Sequence, residues 1–395
     1  VMAQTIALLR ELLSQEHTVI DADLTKGQVP SEADILILAA PEELSEKEVF
    51  AVDQFLMQGG TVIVAASPYT IDLRGKLSMT AKKTGLEDWL KHNGLVLEQQ
   101  MVLDPQNTPF PVPVQRNLGG FMIQETQLVN YPYFVDIRSD GMHQESGITS
   151  GLQQVTMNWP SPITVDPEKN KGRHVTRLLE SSAKSWVTAS TVLQPDFQTY
   201  KELGFAVEGD QKHHLVAAVV EGGFTSYFTG KPSPLLKKDE NDEKAEQAAQ
   251  QEEQEDKEKE EQVIARQLDK SPDTSRIILF ASSSFLSDTV LNISSSVNRT
   301  SYLGPVQLMA NTVDWSLEDR GLLSIRGRSH FSRPLHPITK DEQLFWEYLN
   351  YAFVLFGLII IWLFRLCIRK QAEKRQLAFL QFDQSEQSET GRVSS

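Results

Sequence analysis

Asp34-Ile35-Leu36-Ile37-Leu38-Ala39 and, one helix-length later, Thr61-Val62-Ile63-Val64-Ala65-Ala66 are the two stretches that decide the fold. Each is a short apolar run without the polar alternation of a half-exposed strand, as required where both faces of a parallel sheet are covered. Between them Ser45 and Glu48 stand at capping-box spacing. A helix therefore opens there, with Val49, Val52, Phe55 and Leu56 on its buried face. Gly59-Gly60 sits where a helix C-cap favours residues without a Cβ. Residues 34–66 thus read as a βαβ unit with a right-handed crossover expected.

Working outward, Ile6, Leu8, Leu9, Leu12 and Leu13 repeat at helical spacing, and His17 to Asp21 reads as a short strand. A helix from about Leu86 to His92 and a strand from Leu95 to Leu103 continue the alternation. The expected fold class is α/β, with a doubly wound, mostly parallel, Rossmann-like sheet. Residues 104–233 form a β-rich continuation with strands near 134–137, 154–157 and 163–165. Leu215 to Val220 and Phe224 to Phe228 read as a strand pair around Gly222-Gly223. Ser275 to Ala281 is another buried parallel-type strand, Val306 to Trp315 a helix, and Leu322 to Ile325 a further short element.

Near the end of the chain, Tyr348 to Ile368 is almost wholly apolar, and Tyr351 to Phe364 carries no charged side chain. Twenty-one residues at ~1.5 Å each span roughly 31 Å, the thickness of a bilayer core. Trp346, Tyr348, Tyr351 and Trp362 occupy the two ends, as aromatic belts do. Arg365, Arg369, Lys370, Lys374 and Arg375 follow, whereas Asp341, Glu342 and Glu347 precede. By the positive-inside rule the C-terminal tail is cytoplasmic and everything before the helix extracytoplasmic. A domain of that size needs an export signal, so a further membrane segment is expected upstream of Val1.

The organisation expected is therefore an α/β part over 1–103, lacking its first strand; the β-rich part over 104–233; an acidic insertion over 234–273; a closing α/β segment over 274–340; a transmembrane helix over 345–369; and a tail over 370–395. The formal charge of −15 is concentrated: Lys237 to Gln262 holds 5 Lys against 12 Asp and Glu, a net −7. That segment is too polar to offset the entropy of ordering. An acidic chain of this kind argues against a duplex nucleic-acid partner. The one cysteine, Cys367, lies in the apolar helix, which leaves no intrachain disulfide and no soluble cysteine nucleophile.

Candidate chemistry is sparse. Neither Ala40-Pro41-Glu42-Glu43 nor Ser67-Pro68-Tyr69, after the two decisive strands, has the glycine pattern that wraps a pyrophosphate. Ser282-Ser283-Ser284 lacks the glycines of a nucleophile elbow. His213-His214 reads as a solvated pair, because neighbours on a strand point to opposite faces. His330 and His336 sit in the stem before the membrane helix. Asp104, Asp136, Asp140 and Asp166 are scattered among loops with no pairing for acid/base work. No catalytic residue, cofactor or metal site is assigned. The competing reading is a membrane-bound hydrolase or ligand-binding receptor that uses the cleft at the strand C-termini, with Ser67, Tyr69 or Ser283 as its polar groups.

Asp34 to Pro41, Leu44-Ser45-Glu46-Lys47-Glu48, Asp53-Gln54-Phe55-Leu56 and Gly59 to Val64 together resemble the auxiliary-component domain of GldG-type gliding-motility ABC transporters. Ser275 to Phe285 looks like a later strand of that domain, with Ser282-Ser283-Ser284-Phe285 where relatives carry a Gly-Asp-Ser turn. Asn311 to Trp315 and Leu322 to Arg328 look like its closing helix and strand. The likeness covers about residues 2 to 370. It implies a glutamine-amidotransferase-like fold, shared with an intraflagellar transport subunit and without the catalytic cysteine. It also implies a non-catalytic subunit of an export system in the bacterial inner membrane. The partners it implies are an ABC-2 type permease and a separate ATPase subunit. Within the anchor, Asn350, Gly357 and Arg365 are the candidate contacts with a partner helix.

Overall fold

The structure, a computed structural model, describes residues 5–73, 77–118, 121–236, 267–298, 302–317 and 345–365. The acidic run 237–262, the 322–325 element, His330, His336, Cys367 and the basic tail lie outside the described residues. Two compact units are distinguished, Val1–Arg333 and Pro334–Ser395.

In the first unit, helices α1 (Ala7–Glu16), α2 (Glu46–Met57) and α3 (Glu87–His92) precede helices Asp288–Asn298 and Gly304–Leu317. The strands in chain order are β1 (Ile35–Ala39), β2 (Thr61–Ala65), β3 (Tyr69–Asp72), β4 (Ser78–Ala81), β5 (Leu95–Leu97), β6 (Met101–Leu103), β7 (Phe110–Leu118) and β8 (Phe121–Val129). They continue with β9 (Phe134–Arg138), β10 (Gln154–Asn158), β11 (Ile163–Val165), β12 (His174–Glu180), β13 (Trp186–Thr188), β14 (Leu215–Glu221) and β15 (Arg276–Phe280).

The expected βαβ unit is present, with β1 and β2 as parallel neighbours in register Ile37↔Ile63. Its capping box forms as read: the Ser45 amide donates to Glu48 Oε2 at 2.7 Å, and the Glu48 amide donates to Ser45 Oγ at 3.4 Å. Gly60 is required by packing, since a Cβ there would sit 2.4 Å from the Phe55 ring.

The doubly wound parallel sheet is not what forms. The central sheet is mixed, in the order β1-β2-β15-β14-β12. β1, β2 and β15 run parallel, but β14 pairs antiparallel with both β15 and β12. Five separate antiparallel pairs surround it: β3–β4, β5–β11, β6–β13, β7–β8 and β9–β10. The misreading has a simple cause. Leu215-Val-Ala-Ala-Val-Val220, read as one arm of a local strand pair, instead enters the central sheet antiparallel to β12 and β15, and its unbroken apolarity reports burial on both faces and not its partners or direction.

Alternate residues feed two cores. Val62, Val64, Ile277 and Leu279 pack with Val52, Phe55 and Leu56 of α2 and with Trp89 and Leu90 of α3. Ile63, Ile278 and Phe280 pack on the other face with Leu9 and Leu13 of α1, with Leu308, Met309 and Val313, and with Val135 and Val155 of the β9–β10 hairpin. An aromatic third cluster of Tyr131, Tyr133, Phe134, Trp159 and Trp186 lies among the small sheets.

Three further readings are corrected. The segment 95–103 is two strands that pair with β11 and β13, outside the central sheet. Phe224 to Phe228 cannot pair with β14, whose two edges are already taken by β12 and β15. It turns instead, burying both phenylalanines in the α2 core. His17 to Asp21 joins no sheet; there Asp21 accepts a hydrogen bond from Arg10 Nη1 at 2.8 Å.

Candidate functional site

The C-terminal ends of β1, β2 and β15 are where an α/β sheet usually leaves a crevice. Here the backbone ladder runs on beyond the strands: Ala40 N donates to Ala65 O, Ala66 N to Phe280 O, and Ala281 N to Val216 O. Ser161 N then donates to Ala281 O, which brings the segment after β10 across the strand ends. Trp159 in that segment is 1% exposed and has φ +48°, a conformation that bulky residues seldom adopt. The crevice is filled by the protein's own chain.

The polar groups expected there are occupied. Ser282 Oγ donates to Asn158 O at 2.6 Å and accepts from the amides of Ser284 and Phe285, so it fastens a turn. Ser67 Oγ accepts from Tyr69 N, and the Tyr69 hydroxyl donates to Gln99 O at 2.7 Å. Burial raises the Tyr69 phenol, which suits a donor and not a base. Ser283 is buried beside them. The histidines are engaged elsewhere: His17 with Asp314, His92 with Thr225 O, and His213 with Ser181 O.

The helix Phe345–Arg365 is long and apolar enough to cross a membrane, and none of it is buried. Asn350, Gly357 and Arg365 all lie on it. Seven residues separate Asn350 from Gly357, which at 3.6 residues per turn leaves them within about 20° of one stripe, whereas Arg365 is turned by about 80°. The structure thus groups the first two and sets the third apart. Among the described residues a Cβ at Gly357 would meet nothing within 4 Å.

Sequence reasoning missed the polar groups that organise the interior. Asp53 is fully buried and accepts from Trp89 Nε1 (3.1 Å), Ser226 Oγ (2.5 Å), Tyr227 N (3.0 Å) and Gln54 Nε2 (3.2 Å). Gln54 in turn grips both the amide and the carbonyl of Leu268. The Asp53-Gln54 pair therefore ties α2 to residues on both sides of 237–266. The available signal was a carboxylate placed between Val52 and Phe55 on an otherwise apolar helix face.

Asp104 and Asp136 are likewise not loosely scattered. Both are buried, and burial pushes both carboxyls up. Asp104 accepts from Ser182 N (2.6 Å), Ser182 Oγ (2.7 Å) and Gln106 N (2.8 Å). Asp136 accepts from Arg138 Nε at 3.0 Å, while its Oδ1 has no partner. The histidine pair is also corrected: His213 is exposed, but His214 is buried with Nε2 unpartnered. Its imidazole is lowered to about 4 by burial and then by Lys212 and His213. Glu16, His17 and Asp314 bring ligand atoms within 4.8 Å of one another, with Glu16 exposed and His17 Nε2 hydrogen-bonded to Asp314 Oδ1 at 3.1 Å.

No curated protein matches the chain. Among solved structures, one described as "mmIFT52 N-terminal domain" aligns at 10% identity, covering 80% of this chain and 91% of that chain, with a TM-score of 0.42. A likeness that loose carries no argument. Residues 2–317 match the family described as "ABC-type uncharacterized transport system" (ABC_transp_aux), a span that takes in the described strands and helices of the first unit and stops short of the apolar helix. The chain belongs to this family of ABC transport auxiliary components.

Proposed function

We propose that this chain is a non-catalytic, membrane-anchored subunit of a GldG-like ABC export system. Its α/β unit stands outside the cytoplasm and its short basic tail inside. The partners are an ABC-2 type permease and a separate ATPase subunit that hydrolyses ATP in the cytoplasm. The observation that carries this reading is the family match over 2–317 followed by a fully exposed apolar helix at Phe345–Arg365. The engaged strand ends support it, because Asn158 to Ser161 is hydrogen-bonded across them and their polar groups are spent on the protein's own backbone.

Asn350 and Gly357, on one stripe, form the seam against a permease helix, and Arg365 meets the headgroups at the cytoplasmic end. Affinity purification of the full chain from native membranes tests this directly. A permease and an ATPase are expected among the recovered proteins. Replacing the helix with an unrelated anchor, or Gly357 with Leu, should abolish their recovery. Persistent purification of the chain alone would sink the proposal, and retained assembly after anchor exchange would move the contact to the α/β unit.

A further inference from the structure

Residues 189–214, between β13 and β14, contain no helix or strand. Connections of that length inside a compact unit are uncommon and usually carry function. This one is hung from the aromatic cluster by two buried phenols: the Tyr131 hydroxyl donates to Leu193 O at 3.0 Å and the Tyr133 hydroxyl to Val192 O at 3.2 Å. Between the loop and the cluster lies a cavity of about 300 Å³, the lower end of the range for small-ligand sites.

The lining divides by chemistry. Leu103, Tyr133 and Phe205 form an apolar and aromatic part, with the Tyr133 and Phe205 rings 5.0 Å apart at 90°. Asp196 and Glu208 supply the charge, and among the described residues no Lys or Arg lines the cavity. Both carboxylates are preset by local bonds. Asp196 Oδ1 accepts from the amides of Gln198 and Thr199, and Glu208 Oε2 accepts from Thr188 Oγ1 at 2.9 Å. Val192 and Tyr200, also in the lining, leave 61% and 41% of their surface in solvent. Apolar rings beside acids of one sign favour a positive group on an apolar stem, through charge attraction and cation–π contact together.

We infer that the cavity under the 189–214 loop is a binding site for an organic cation, a guanidinium or ammonium on a short apolar stem. The stem lies against the partly exposed Phe205 ring, which the buried Tyr133 backs, and the positive head meets the exposed carboxylates of Asp196 and Glu208. The same chemistry is presented by a free small amine and by an Arg side chain in an exposed peptide. The inference stands on the cavity alone and is independent of the transport partners proposed above.

Agmatine and a blocked Ala-Arg-Ala tripeptide are the probes, titrated by calorimetry against the full chain in detergent. Saturable binding is expected below about 10 mM for at least one, and none for a stem-matched carboxylate. Binding of agmatine alone assigns a free small molecule, whereas stronger binding of the tripeptide assigns a polypeptide. Asp196→Asn keeps an acceptor for Gln198 and Thr199, so the loop holds while the charge goes; it should weaken binding roughly fivefold, and so should Glu208→Gln. Phe205→Leu should weaken it as well, through loss of the ring face. Absence of saturation with both cations, equal binding of the carboxylate, or unchanged affinity in both charge variants would overturn the inference.

Discussion

Removing the Asp53 carboxylate should unfasten α2 from the loop at Ser226-Tyr227, and the size of the effect follows from its hydrogen bonds. In Asp53→Ala, Gln54 Nε2 still has the Leu268 carbonyl and the Ser226 hydroxyl can rotate, but Trp89 Nε1 and the Tyr227 amide lose their acceptor in a dry interior. Two orphaned donors at roughly 1–3 kcal/mol each, with lost packing, give a destabilisation of about 4 kcal/mol. Asp53→Asn keeps one acceptor oxygen for those two donors but turns an amide NH2 toward Ser226 Oγ, which can rotate, and Gln54 Nε2, which keeps Leu268 O, so about 2 kcal/mol is expected. Urea unfolding of the full chain, followed by tryptophan fluorescence, reads both. With a slope of roughly 2–3 kcal/mol/M, the alanine variant's midpoint should fall by about 1.5 M and the asparagine variant's by about half that. Proteolysis should sharpen the same picture: because Asp53 and Gln54 hold residues on both sides of 237–266, cleavage near 226–236 should accelerate in Asp53→Ala. Equal midpoints for the two variants, or an alanine variant within about 1 kcal/mol of the parent, would refute the reasoning.

Gly85 has φ +86°, and a Cβ there would lie 2.4 Å from the Leu44 carbonyl oxygen; Gly85→Ala should cost about 3 kcal/mol, seen as a lowered Tm, and an unchanged Tm would contradict the packing described. His214 titrates at about 4 when folded against its ordinary 6.5, so the unfolded chain binds the extra proton between those values and stability falls as pH drops through that window, levelling off beneath it. Allowing for solvent near the ring, the loss is about 2 kcal/mol, and His214→Leu should flatten the pH dependence of urea unfolding. Ser283→Ala should leave the recovery of transport partners intact, since Ser283 is buried beside a turn that Ser282 fastens; loss of recovery in a folded variant would revive a role for the strand ends.

The parts legible in the sequence were those whose signal is local. Ser45 and Glu48 define a helix start by their own hydrogen bonds, and the runs at 35–39 and 61–65 declare strands, of which β2 is buried on both faces while the edge strand β1 alternates buried and half-buried residues. What was not legible depends on partners distant in sequence. The place and direction of β14 depend on β12 and β15, both remote from any local signal, and β5, β6 and β13 are too short for any periodicity to register, although β11 was read where it forms. The role of Asp53 rests on Ser226 and Tyr227, far along the chain, and a lone carboxylate on a helix does not announce such partners.

The mixed topology also redirects the search for function. In a purely parallel sheet every strand would end on one edge, and the loops there would converge on a crevice. Reversing β14 sends the chain the other way between β12 and β15, so the long loop that leads into it, residues 189–214, arrives where the parallel strands end. Part of that edge is covered by the segment of Trp159 and Ser161, and a cavity lies between this loop and the aromatic cluster. The sheet's own carboxyl edge is therefore a packing surface. The acids beside an aromatic ring, Asp196 and Glu208 with Phe205, sit on the loop that leads into β14 and not on the parallel strands themselves.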